Sequence, residues 1–128
     1  GNILLTTGAK ELSAFAGVEK TRLYARVLPT AASTAACEAL GLAHRNIIAM
    51  EGPFTRRMNE AMLEQYHIRW MVTKDGGAPG GMEEKLAAAR AMGVRVVLVR
   101  RPREQTDGVD SIPALVEEVR KMLEEEGK

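Results

Sequence analysis

Apolar residues recur along this chain in two alternating rhythms. Ile3-Leu4-Leu5-Thr6, Arg22 to Leu28, Asn46 to Met50, Arg69 to Thr73 and Val94 to Val99 are short runs rich in β-branched and long apolar residues. Each is followed by turn residues and then by a segment of helical period, which predicts repeated βαβ units. The third and fifth runs are almost continuously apolar, as expected of strands covered by helices on both sheet faces.

The connecting helices follow from period and caps. Met58, Ala61, Met62 and Tyr66 fall on one face of a helix that Thr55 is placed to N-cap; Met82, Leu86 and Ala89 do so in the next, which Gly93 ends. Ile112, Leu115, Val116, Val119, Met122 and Leu123 form the clearest stripe, with Ser111 as N-cap and Pro113 tolerated in the first turn. Ala31 to Leu40 is a weaker helix whose Ala31, Ala32, Ala35 and Ala36 suggest close packing on a sheet. Glu11 to Ala16 is at most a short one. The methionines mostly lie at core periods and read as gap-fillers. Together these elements predict an α/β fold: an open, mainly parallel five-stranded sheet, Rossmann-like or flavodoxin-like, with helices on both faces. Strand order stays open.

Composition narrows the class. The 128 residues suit a single domain over 1–128, and no apolar run approaches the roughly 20 residues needed to span a bilayer, so no membrane partner is expected. A net charge of +1 with both signs dispersed argues against nucleic acid. The lone Cys37 excludes an intrachain disulfide and a multi-thiolate metal site, reads as buried packing, and fits a reducing cytoplasm. Gly1-Asn2 runs almost directly into an apolar segment with no initiator Met or leader pattern, so the chain is expected to begin inside a longer protein.

Ligands of open α/β sheets bind beyond the carboxyl ends of the strands, so the segments that follow each strand carry the candidate chemistry. Here they are Thr7-Gly8-Ala9-Lys10, Pro29-Thr30, Glu51-Gly52-Pro53-Phe54-Thr55, Lys74-Asp75-Gly76-Gly77-Ala78-Pro79-Gly80-Gly81 and Arg100-Arg101-Pro102-Arg103. The fourth is glycine-rich enough to cradle an anion at the backbone, with Lys74 as a charge at the strand end. A flexible connector fits its composition equally well. It is neither a Walker A loop nor a dinucleotide fingerprint, because no Gly-Lys-Ser/Thr opens the helix and Ala78 stands at the middle glycine position. The first loop, with the Thr6 and Thr7 hydroxyls and Lys10 around a glycine turn, invites the same anion reading, and helix capping by a threonine explains it equally well; Thr55 reads first as a cap, and the arginines first as solvated charge. His44 and His67 precede strands, at the opposite edge, and lack metal-ligand spacing. Asp75 and Glu51 are the carboxylates nearest the strand ends, and no spacing rule pairs them for proton transfer. No catalytic residue and no metal ligand stands out.

The same residues, taken in order, carry a family pattern. Thr6-Thr7-Gly8-Ala9-Lys10-Glu11-Leu12, Arg26-Val27-Leu28-Pro29-Thr30, Asn46-Ile47-Ile48-Ala49-Met50-Glu51-Gly52-Pro53-Phe54, Thr73-Lys74-Asp75-Gly76-Gly77 with Gly80-Gly81 and Glu84-Lys85, and Val99-Arg100-Arg101-Pro102 resemble the C-terminal half of the precorrin-6A and cobalt-precorrin-6A reductases. The resemblance covers Ile3 to Pro102. It implies a cytoplasmic cobalamin-pathway enzyme that uses NADPH or NADH to saturate one ring double bond of a tetrapyrrole, the corrin precursor. It also implies an absent N-terminal domain of the same protein, and hence an inactive fragment. The cofactor would carry the hydride, so neither nucleophile nor metal is required. The implied cofactor- or substrate-binding residues are Thr7, Gly8, Lys10, Thr30, Gly52, Pro53, Thr55, Lys74, Asp75, Gly76, Gly77, Gly80 and Gly81, with the Arg100 to Arg103 cluster as further counter-charge for substrate carboxylates. The alternative from another class is a non-catalytic α/β module that binds an anion or nucleotide.

Overall fold

The computed structural model describes residues 1–74 and 81–99. Five parallel strands, β1 (Asn2–Thr6), β2 (Leu23–Val27), β3 (Ile47–Ala49), β4 (Ile68–Lys74) and β5 (Arg95–Val99), form one sheet in the order β3-β2-β1-β4-β5. This is the order of the Rossmann-type doubly wound sheet rather than the flavodoxin type. It reverses direction between β1 and β4, where such sheets open a crevice.

Two apolar clusters cover the two faces because side chains alternate along each strand. Ile3 and Leu5 of β1, Leu23, Ala25 and Val27 of β2, and Trp70 and Val72 of β4 pack with Leu12, Phe15, Cys37 and Leu42 beneath a 3₁₀ helix (Ala9–Phe15) and α1 (Ala31–Leu40). On the other face Leu4, Ile48 and Met71 pack with Met62, Leu63, Ala88 and Ala89 beneath α2 (Arg56–Gln65) and α3 (Gly81–Met92). Register shifts between β1 and β4 at Asn2/Ile3, since Asn2 pairs with Ile68 but Ile3 with Trp70, leaving Arg69 as an extra residue. That bulge lets Ile68 and Met71, three apart, share the α2/α3 face.

The capping expectations for Thr55 and Gly93 hold: Thr55 Oγ1 accepts from Met58 N at 3.1 Å to start α2, and Gly93 leaves α3 at φ 70°, a conformation that favours glycine. The structure adds a cap at Thr30, whose Oγ1 accepts from Ser33 N at 3.1 Å to start α1.

Four expectations are corrected. The buried stripe of α2 is Asn59, Met62 and Leu63, with Tyr66 just beyond, while Met58 and Ala61 face out. Ala31, Ala32 and Ala35 are exposed, and of the four small residues only Ala36 packs towards the sheet, beside Cys37 and Leu40. Met50, Met58 and Met92 are each about two-fifths exposed, and only Met62 and Met71 of the described methionines are fully in the core. The most apolar runs, the third and fifth, became the sheet's edges among the described residues; the central β1 and β4 are the deeply buried strands. The predicted helix following Ser111 lies outside the described residues.

Candidate functional site at the carboxyl edge of the sheet

The site is built by register. Arg26 pairs with Ile48, Thr6 with Thr73 and Thr73 with Leu98. Since Leu5 pairs with Ala25, Arg26 is level with Thr6. A single row, Ile48, Arg26, Thr6, Thr73, Leu98, therefore crosses the sheet near its carboxyl ends. By the alternation of side chains it faces α2 and α3, with strands about 5 Å apart. Its three central members are polar and straddle the β1/β4 switch point.

Arg26 is 8% exposed, and no carboxylate among the described residues meets it. Its Nη1 donates to Asn59 Oδ1 at 2.7 Å and to Met62 Sδ at 3.4 Å, and its guanidinium lies 4.0 Å above the Phe54 ring. Asn59 is held in turn by its own amide, which donates to Thr55 O at 2.9 Å. Gly52 permits this stack, because a Cβ there would come within 3.1 Å of the Phe54 ring. The Gly52-Pro53 bond is cis. Burial lowers the Arg26 pKa to about 10, so it stays charged at neutral pH.

Lys85 descends from α3 onto the same row. Its Nζ donates to Thr73 Oγ1 at 2.8 Å and to Thr6 Oγ1 at 3.3 Å, while Thr6 Oγ1 donates onward to Val72 O at 2.9 Å. Burial first, and the positive charge of Arg26 second, bring the Lys85 pKa down to about 8. Two cations thus meet this row, Arg26 within it beside Thr6 and Lys85 on Thr6 and Thr73, and no described carboxylate neutralises either.

The residues singled out in the sequence fall around this row unevenly. Thr7 is buried, and its Oγ1 has no hydrogen-bond partner among the described residues. Gly8 follows at φ 95°, which a side chain would strain, and Lys74 forms a 2.5 Å ion pair with Glu11 of the following 3₁₀ helix. Lys74 is therefore internally neutralised and is not a free counter-charge. Gly81 opens α3. Thr55, Gly52 and Pro53 form the entrance to α2, with the Thr55 hydroxyl committed to its cap. Thr30 likewise caps α1, on the opposite face, and Lys10 is exposed in the 3₁₀ helix. Asp75, Gly76, Gly77, Gly80 and Arg100 to Arg103 lie outside the described residues. His44 is exposed at 3.1 Å from Glu38, His67 is exposed, Cys37 is buried, and no cluster of described residues could hold a metal.

Sequence reasoning weighed Thr6 only as a hydroxyl of the first loop and passed over Arg26, Thr73 and Lys85 as site residues. Two signals were available: a guanidinium in the middle of an apolar strand run, and a lysine three residues after Met82 and four before Ala89, on the apolar side of α3. Hydroxyls, spare cationic donors and an orphaned Thr7 oxygen suit a ligand bearing oxyanions.

Comparison with known proteins places this arrangement. Residues 1–120 match the family model described as precorrin-6x reductase CbiJ/CobK. The chain belongs to that family. It is 39% identical over 107 residues to a cobalt-precorrin-6A reductase of Priestia megaterium, covering 80% of this chain and 42% of the relative. A cobalt-precorrin-6A reductase of Methanothermobacter thermautotrophicus is 38% identical over 114 residues, covering 87% and 38%. The solved structure of a CobK precorrin-6A reductase superposes with a TM-score of 0.61 at 24% identity, covering 82% of this chain and 41% of that one, a likeness of fold. The chain thus spans about two-fifths of the length of the curated relatives it matches. Among its described residues no helix is long and apolar enough to cross a membrane.

Proposed function

We propose that this chain forms one wall of the ligand cleft in a cytoplasmic, nicotinamide-dependent reductase that saturates a ring double bond of precorrin-6A or cobalt-precorrin-6A during cobalamin biosynthesis. The observation that carries this reading is the polar row Arg26, Thr6, Thr73 with Lys85 above it, set at the switch point where doubly wound sheets bind nucleotides and their substrates. Membership of the precorrin-6x reductase family supports reduction of a precorrin in cobalamin biosynthesis. The second wall is assigned to a further domain of the same protein, since the relatives are more than twice as long as the part matched.

NADPH or NADH, when bound, supplies the hydride, and a proton completes the saturated bond. What falls to these residues is binding, orientation and exclusion of water. Thr7, Gly8, Gly52, Pro53, Thr55 and Gly81 line the edge at which ligands enter, and Asp75, Gly76, Gly77 and Gly80 are assigned to the same edge from the sequence. Lys10, Thr30 and Lys74 serve its periphery, the last through its pair with Glu11. The substrate's several carboxylates give cations on this edge a natural counter-charge.

The test is titration of the full-length protein with NADPH, NADH and precorrin-6A, followed by turnover with cobalt-free and cobalt-containing substrate. Oxidation of one nucleotide coupled to reduction of the macrocycle is expected. A protein indifferent to both nucleotides and unable to reduce either macrocycle sinks the reading. The isolated chain is expected to be inactive, and turnover by it removes the need for a second wall.

A further inference from the structure

We infer that Arg26 and Lys85, with Thr6 and Thr73 beneath them, form a subsite for a single oxyanion, a phosphate or carboxylate group of the bound ligand. The site extends the reductase reading and depends on it only for the ligand's identity.

Donor capacity is the first argument. A guanidinium carries five N–H donors. Arg26 directs its two described bonds from Nη1, to Asn59 and Met62, which leaves Nε and Nη2 without a partner among the described residues. Lys85 has three N–H donors and spends two on Thr73 and Thr6. Each cation therefore retains donors, and the ones in use are anchored on groups that fix where the rest point.

The second argument is charge. A guanidinium only 8% exposed and satisfied by neutral groups is costly to bury unless an anion joins it. Asn59, Met62 and Phe54 orient and cover Arg26 without neutralising it. Lys85 shares the space closely enough to feel the Arg26 charge. An oxyanion between the two relieves both desolvation and mutual repulsion.

The third argument is support. Each member sits on a regular element: Arg26 on β2, Thr6 on β1, Thr73 on β4 and Lys85 on α3. Their anchor bonds leave few rotamers, so little ordering remains to be done on binding.

Sulfate is the probe, because its charge does not change over the relevant range. Its affinity for the full-length protein is measured by calorimetry across pH, with the Lys85 titration followed by nuclear magnetic resonance of isotope-labelled lysine. The expected result is a Lys85 pKa that rises when sulfate binds, and affinity that falls roughly tenfold per pH unit above the ligand-free pKa. Lys85→Gln should abolish that pH dependence and weaken binding by about tenfold. Arg26→Lys, which keeps the charge but loses the planar fork, should weaken it several-fold. Affinity without pH dependence and unchanged in Lys85→Gln overturns the subsite. So does a ligand-free Lys85 pKa that falls on Asp75→Asn, since the counter-ion is then internal.

The ligand's identity comes from the same variant. If Lys85→Gln weakens NADPH but not NADH, the oxyanion is the 2′-phosphate; equal loss for both assigns the pyrophosphate; loss confined to precorrin-6A assigns a macrocycle carboxylate. Sulfate binding at the pair with no affinity for nucleotide or macrocycle keeps the subsite while removing the reductase reading. Turnover of precorrin-6A by a protein whose ligand affinities ignore Lys85→Gln does the reverse.

Discussion

The two faces of the sheet are built from the same strands and have opposite characters. Beneath the 3₁₀ helix and α1, the strands present Ile3, Leu5, Leu23, Ala25 and Val72, closed over by Leu12 and Phe15. Beneath α2 and α3 the row nearest the carboxyl ends carries Arg26, Thr6 and Thr73, with Asn59 and Lys85 reaching into it from the helices. The difference teaches where stability and ligand handling are separated. One face is held by apolar area, whereas the other gives up apolar contact at its mouth for oriented polar groups. A groove of about 480 Å³ between α1 and the 3₁₀ helix, lined by Leu12, Ala16, Ala36 and Leu40 among others, lies on the first face, and among the described residues Lys20 is its one charged lining group.

Substitution on the apolar face should give the largest effect. Leu5 is 1% exposed, and Leu5→Ala should cost about 2–5 kcal/mol in urea unfolding while leaving sulfate affinity unchanged in the folded fraction. A large change in affinity would break the division between faces. Next comes Arg26→Met, which keeps much of the volume but leaves Asn59 Oδ1 without its donor. A loss of about 1–3 kcal/mol is expected, together with a Lys85 pKa that rises above about 8 once the Arg26 charge is gone. An unmoved Lys85 resonance would mean that the two cations are not coupled.

A subtler distinction is the pH dependence of stability. The Lys85 pKa is 10.5 unperturbed and about 8 when folded, so between those values the unfolded chain binds more protons than the folded one. Burying the ammonium therefore costs most below about pH 8, and that cost is relieved as pH rises towards 10.5. Urea midpoints measured across this window should rise by this contribution in the parent protein, and the contribution should vanish in Lys85→Met. The smallest effects separate two matched caps. Thr30→Ala and Thr55→Ala should each cost about 1 kcal/mol. Only Thr55→Ala should also weaken sulfate binding, because losing the Oγ1 cap at Met58 N loosens the first turn of α2, where the Thr55 backbone carbonyl holds the Asn59 amide at 2.9 Å.

Much of this architecture was legible beforehand because it rests on local rules. Thr55 and Gly93 sit where capping chemistry puts them, and all five strand runs were found within a residue or two. The site was legible as an edge but not as a set of residues. Thr7, Gly8 and Lys74 were singled out, yet Lys74 turned out to be neutralised by Glu11, a partner that only packing of the 3₁₀ helix against the strand end supplies. Lys85 and Arg26 stood inside the quoted family motifs but were passed over. A charge within an apolar pattern cannot be told from a solvated one until the opposing helix is placed.

The family follows from five spaced motifs, and the βαβ rhythm from apolar period and turn chemistry; both are properties of neighbouring residues, and the sequence alone determined them. Strand order, the bulge at Arg69 and the meeting of Arg26, Thr6, Thr73 and Lys85 were decided only by the tertiary structure. Thr6 and Thr73 are 67 residues apart in sequence and adjacent in the sheet. Register between such strands is set by burying both faces at once, a condition on the whole chain that no local window contains.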